Sequence, residues 1–253
     1  MEFASRFPRK IYTALQKEWN ISEEKRTFCF ACFNFAGLPG TDDSLTFRDK
    51  TIGKEMEDAR GVIQALQERY TPKWMHVIGL STGAILTSLL RGEYPATISS
   101  GVSMTFTAIA GLLDLQKGIK YDFSTEQQRD FEEKGFCWKE FYLPKDMSSP
   151  VDARASPTMA GKVYFALDQT YVEEYGVLDI RKSVTRKGCF PFLVLHGQCD
   201  TNVPIADGRD LYETAETPKE WTMIQKGNHL FSNSRSMQLA LRALLAFMTK
   251  YEG

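Results

Sequence analysis

Stretches with apolar residues three and four apart alternate along this chain with short, almost continuously apolar runs. Pro8 opens a first helical stretch with Ile11, Leu15 and Trp19 at spacing four. Thr27–Phe35 is apolar nearly throughout, as in a strand buried on both faces. Gly37 to Ser44, with two glycines and a proline, reads as a tight connection. Ile52, Met56, Ala59, Ile63, Leu66 and Tyr70 then form one stripe of a long helix. A strand follows at Met75–Leu80, and a helix starts near Thr82. Further strands are predicted at Ala96–Met104, Phe192–His196 and Trp221–Ile224. Met237, Leu241, Leu244, Leu245 and Met248 mark one face of a last helix. Such alternation predicts the α/β class, a mostly parallel sheet flanked by helices.

The stretch between the strands at 96–104 and 192–196 is too long for a simple connection. Ser124 and Gln127 look like a capping box, and Gly135 closes that helix. Between Tyr121 and Tyr175, 11 of 55 residues are aromatic, against 12% overall. This enrichment predicts an inserted lid over roughly 105–188 of a single domain, 1–253, with some aromatics lining a pocket and others only stapling the insert.

A net charge of −1 gives no reason to expect nucleic acid as a partner, and no apolar run approaches a membrane span. The N-terminus lacks the apolar core of a secretory signal. The five cysteines are odd in number and scattered, so no disulfide framework is expected and the cytoplasm is the expected compartment. Cys29 and Cys32 form a C-x-x-C inside the predicted strand 27–35, where residues three apart face opposite ways; two buried free thiols are expected.

Gly79-Leu80-Ser81-Thr82-Gly83 fits G-x-S-x-G, and its context carries more weight than the pattern. It follows an apolar strand and precedes an apolar helix, so the turn would strain Ser81 and leave its hydroxyl at the strand end. The helix N-terminus and the Thr82 N–H would face a developing oxyanion. Phe192–His196 runs into a loop ending at Asp200, with Asp207 a weaker alternative in the first turn of a following helix. Of three histidines, His76 and His196 fall within or at the end of strands and read as structural; His229 lies on a loop after the final strand. The order Ser81, Asp200, His229 suits a nucleophile, an orienting acid and a general base.

With these motifs in view, the chain resembles the α/β-hydrolase superfamily, in the branch of serine-aminopeptidase-like hydrolases and cinnamoyl or feruloyl esterases. Phe33-Asn34-Phe35-Ala36-Gly37 through Ser44 is similar to that branch's F-D-F-x-G-x-G-x-S, with one extra residue. Glu55-Met56-Glu57-Asp58-Ala59 is similar to its E-x-x-D-A, and H-G-x-x-D ends at Asp200. The resemblance implies a serine hydrolase that cleaves a small carboxylic ester or related acyl substrate through an acyl-serine intermediate, without cofactor or metal. Peptidase and thioesterase activity are compatible with it. The alternative is a hydrolase-like binding or signalling protein with weak turnover. Family members begin with two or three further strands, one ending in a His-Gly-aromatic motif that supplies the second oxyanion donor. Aligned on the first helix, Phe3 takes that aromatic's place, so either the chain is an N-terminal truncation or Phe3 or an amide of the Gly37 loop is expected to serve as that donor. The strand 27–35 is then expected to pair directly with Met75–Leu80 as an edge strand, its free edge covered by the N-terminal helix or by a second copy of the chain.

Overall fold

The computed structural model describes residues 2–21, 28–38, 41, 45–94, 101–142, 156–159 and 162–252. They fall into two compact units, Met1–Glu55 with Thr125–Tyr171, and Met56–Ser124 with Val172–Gly253. In chain order the elements are α1 (Glu2–Ile21), a 3₁₀ turn (Phe47–Asp49), α2 (Ile52–Tyr70), β1 (Trp74–Leu80), α3 (Thr82–Glu93), β2 (Ser103–Ile109), α4 (Leu115–Asp122), α5 (Thr125–Lys134), β3 (Phe136–Tyr142), β4 (Ser156–Met159), β5 (Lys162–Asp168), α6 (Thr170–Val177), α7 (Ile180–Val184), β6 (Phe192–Gly197), α8 (Ile205–Thr214), β7 (Lys219–Ile224) and α9 (Ser234–Tyr251).

The second unit is built on a parallel sheet in the order β1-β2-β6-β7. Its inner strands are apolar at nearly every position because both faces are covered: β6 is buried along its whole length, and β2 from Met104 onward. α3 is buried from Ala84 through Gly92, so this helix has no solvated stripe. Arg91 is the charged exception. Its Nε donates to Phe190 O at 2.9 Å, Nη1 to Val184 O at 3.0 Å and Nη2 to Glu216 O at 2.7 Å. The guanidinium also lies over the Phe192 ring, and burial lowers its pKa. One side chain thereby joins α3 to the ends of α7 and α8 and to the loop before β6.

The first unit holds α1 and a three-stranded antiparallel sheet in the order β3-β5-β4. Phe7, Ile11 and Leu15 are the buried stripe of α1. Phe47, Phe141 and Phe165 form an aromatic cluster with centroids 5.3 to 5.7 Å apart.

Several expectations are corrected. Residues 28–35 form no strand, Thr27 lies outside the described residues, and among the described residues no strand pairs with β1 on its other side, so β1 is the edge of the four-stranded sheet described. None of the residues 28–35 is buried, so this apolar run belongs neither to the core nor to a strand pair. Here Tyr12 of α1 packs at a tilt against Phe28 and Phe30 at 6.0 and 5.8 Å, and Phe33 meets Phe35 edge-on at 5.0 Å. Without the strand, Cys29 and Cys32 have no opposite faces to occupy, and both are free but exposed. Pro8 lies inside α1 and does not open it. The strand expected at 96–104 is β2, Ser103–Ile109, so the first residues assigned to the insert belong to the central sheet; 95–100 lie outside the described residues. In α9 the core positions are Met237, Ala240, Leu244, Phe247 and Met248.

Candidate active site

Three residues that sequence reasoning singled out follow three strands of the parallel sheet. Leu80 pairs with Ile109, Ile109 with Leu195, and Gly197 with Ile224, so the C-terminal ends of β1, β2, β6 and β7 share one edge. The ladder continues past the strand ends. Ser81 N–H donates to Ile109 O at 2.9 Å, Ala110 N–H to Leu195 O at 2.9 Å, and Gln198 N–H to Ile224 O at 2.9 Å. Ser81, Asp200 and the loop bearing His229 are thus tied to the sheet's own hydrogen bonding.

Ser81 has φ 58° and ψ −119°, backbone geometry that a residue with a Cβ rarely adopts. It caps α3, and Ala84 N–H donates to its carbonyl at 2.8 Å. Thr82 is the first helical residue, so its N–H is one of the amides a helix leaves unpaired within itself. Gly79 makes the turn sterically feasible, since a Cβ there would sit 1.8 Å from Gly83 O. Gly83 faces open space, so the relief is one-sided and comes from Gly79 alone.

Asp200 follows β6 in a loop that ties its carboxylate down. Asn202 N–H and Val203 N–H each donate to Oδ1 at 2.9 Å. His229 Nδ1 lies 2.8 Å from Oδ2 and donates to it. His196 Nε2 is 3.4 Å from the same oxygen. Burial alone would raise the Asp200 pKa; the hydrogen bonds from His196, His229 and Val203 outweigh it and hold the carboxyl below the usual carboxylate range. Asp207, the weaker alternative, is buried and committed elsewhere: Lys117 Nζ reaches Oδ1 and Tyr121 Oη donates to Oδ2, each at 2.7 Å.

The His229 loop is braced from both ends. Cys199 N–H donates to Gly227 O at 2.8 Å, and Lys226 N–H to Gln198 Oε1 at 3.2 Å. Asn228 Oδ1 accepts from Ser232 N–H at 2.9 Å, and Phe231, fully buried, anchors the far side. Asp200 fixes the tautomer of His229: Nδ1 carries the proton and Nε2 is free to accept one. Among the described residues the Ser81 hydroxyl makes no hydrogen bond, to His229 or to any other group. Phe3 lies in the first turn of α1, in the other unit, and its side chain is outside the described residues.

The chain is similar to a putative hydrolase from Agrobacterium vitis S4, with a TM-score of 0.59 at 18% identity over 85% of this chain and 74% of that one. It is similar to Est1E from Butyrivibrio proteoclasticus, with a TM-score of 0.58 at 15% identity over 81% and 72% of the two chains. A third similar structure is alpha/beta hydrolase domain-containing protein 10 from mouse, at a TM-score of 0.55 and 18% identity over 86% and 76%. The chain has the α/β-hydrolase fold. No protein-family model matches the sequence, and no curated protein matches it.

Within this α/β-hydrolase fold, two residues that matter were read only as structural or not singled out. His196, read as a packing or hydrogen-bonding residue, touches the Asp200 carboxylate; the signal was its place four residues before the acid at a strand end. Arg91 was signalled by a charge within an otherwise apolar helical run. Among the described residues no three His, Cys, Asp or Glu side chains cluster to hold a metal, and no helix is long and apolar enough to cross a membrane.

Proposed function

We propose that this α/β-hydrolase-fold protein is a serine hydrolase that cleaves a small carboxylic ester or related acyl compound. The observation that carries the reading is the 2.8 Å bond between His229 Nδ1 and Asp200, on the sheet edge where Ser81 sits in a strained strand-to-helix turn. In the proposed reaction His229 Nε2 takes the Ser81 hydroxyl proton as Oγ attacks the acyl carbon. Asp200 stabilises the imidazolium, and the Thr82 N–H donates to the oxyanion. His229 then protonates the leaving alkoxide, and water hydrolyses the acyl-serine by the same steps in reverse. A distant structural likeness to esterases, among them an esterase domain from Rhodothermus marinus, supports the substrate class; in another structure Est1E carries bound ferulic acid.

One observation favours a second reading, a hydrolase-like binding protein with poor turnover: the Ser81 hydroxyl makes no hydrogen bond to His229. Such bonds often tighten only when substrate is bound. A series of p-nitrophenyl acyl esters separates the two. The hydrolase reading predicts turnover that falls by on the order of 10⁴ or more in Ser81→Ala, His229→Ala and Asp200→Asn. Turnover unchanged in Ser81→Ala, or none with any ester by the folded protein, favours the second reading.

A further inference from the structure

His196, the penultimate residue of β6, is completely buried four residues before Asp200. Its ring is held from several directions. It stacks on Trp221 of β7, with centroids 6.3 Å apart and planes 28° apart. Gly208 of α8 lies against its edge, where a Cβ would stand 2.1 Å from Nδ1. Nε2 lies 2.9 Å from the Val203 carbonyl oxygen, so this nitrogen carries the proton and donates. The same Nε2 is 3.4 Å from Asp200 Oδ2, the oxygen that also accepts from His229. Nδ1 has no hydrogen-bond partner among the described residues.

That last fact argues against a role in packing alone. A buried acceptor without a partner costs ~1–3 kcal/mol, a cost an apolar side chain of similar volume would avoid. What an apolar side chain could not supply is the N–H that donates to Val203 O with Asp200 Oδ2 only 3.4 Å from the same nitrogen. One polar hydrogen thereby holds the backbone of the loop that carries Asp200 and faces its carboxylate at close range.

We propose that His196 is a positioning residue for the acid of the triad: its Nε2–H fixes the Asp200 carboxylate, draws off part of its charge, and so sets the basicity of His229. The proposal rests on the reading of Asp200 and His229 as the acid and base pair. The other ionisable groups on the elements around β6 are engaged elsewhere or exposed. Asp207 is held by Lys117 and Tyr121, Arg209 lies over the outer Trp221 ring system, and Glu220 pairs with Lys250. Cys199, Lys226, Asp210 and Arg235 are exposed.

The test is the titration of His229 followed by proton NMR in the unliganded protein; with three histidines in the chain, signals are assigned by substitution. His196→Leu removes the donor. His196→Gln returns an amide donor near the position of Nε2. Gly208→Ala keeps every donor and displaces the ring. The His229 midpoint should rise by about 0.5 pH unit or more in His196→Leu and Gly208→Ala, a factor of about three in its ionisation equilibrium. In His196→Gln it should stay near that of the parent. The kcat for an acyl ester should fall with the same ranking while KM holds. A folded His196→Leu with an unmoved midpoint overturns the proposal, as does His196→Gln shifting as far as His196→Leu. Should His196→Leu not fold, Gly208→Ala against His196→Gln carries the same comparison. The NMR titration needs no turnover, so activity surviving Ser81→Ala would overturn the hydrolase reading while leaving this result to be read separately.

Discussion

At the scale of single residues, the two glycines of the G-x-S-x-G motif are not equivalent. A Cβ at residue 79 would meet Gly83 O at 1.8 Å and Thr87 Oγ1 at 2.4 Å, both within the helix that the turn must reach. A Cβ at residue 83 meets nothing within 4 Å, and its position is helical. Gly79→Ala should therefore force the elbow open and cost both activity and stability. Gly83→Ala should keep both, with up to ~1 kcal/mol gained from helix propensity. Thermal melts and ester turnover of the two variants check this; equal damage from both would contradict the one-sided account of the turn. The residues of the proposed triad were legible because each proposed role needs a particular residue type after a particular strand, and the chain offers a single histidine on a suitable loop. His196 was less legible, because its contact with Asp200 depends on how the loop 198–203 curls back, which no local pattern encodes.

At the scale of elements, His76 joins β1 to β2. Its Nδ1 lies 2.6 Å from Thr105 Oγ1 and its Nε2 3.0 Å from Thr107 Oγ1, two hydroxyls on one face of the neighbouring strand. Burial lowers its pKa from 6.5 to about 3. Above pH 6.5 the ring is neutral folded and unfolded, and it contributes no pH dependence. Between the two values the unfolded chain takes up a proton that the native state refuses, so stability falls as pH falls, by at most about 1.4 kcal/mol per pH unit. Urea unfolding at pH 4 to 7 should show a steeper acid loss in the parent than in His76→Gln; parallel curves would remove His76 as the cause. Arg91 sets a second test. Arg91→Leu would strip the Phe190 and Glu216 carbonyls of their donor, while the Val184 carbonyl keeps the Glu216 N–H at 2.7 Å; at ~1–3 kcal/mol for each unmade buried bond the loss should reach ~2 kcal/mol or more. Arg91→Lys, which cannot reach all three, should fall between. A loss under ~1 kcal/mol for Arg91→Leu, measured by chemical denaturation, would mean that these carbonyls find other partners.

At the scale of the whole molecule, the parallel sheet was readable because strands buried on both faces announce themselves as apolar runs bounded by turns. The same signal misled at 28–35, where part-exposed aromatic side chains pack against α1 and one another and, among the described residues, no strand pairs with the segment. The antiparallel sheet of the first unit was not foreseen. In β5 the buried Val163, Phe165 and Leu167 alternate with part-buried Tyr164 and Ala166, so an apolar residue stands at almost every position and the period of two is masked. The α/β-hydrolase fold therefore came through from local patterns joined to the order of the motifs, while the partners of individual segments depended on contacts distant in sequence.

The central claim is that Ser81 is a nucleophile activated by His229, which Asp200 orients. It is tested most directly with a fluorophosphonate, which phosphorylates a serine only where a base draws off its proton and donors hold the developing oxyanion. The account predicts stoichiometric labelling of the folded protein, with the adduct located by mass spectrometry on Ser81 and lost in Ser81→Ala and His229→Ala. A folded protein that takes up no label, or one that carries it on another residue, would contradict the account.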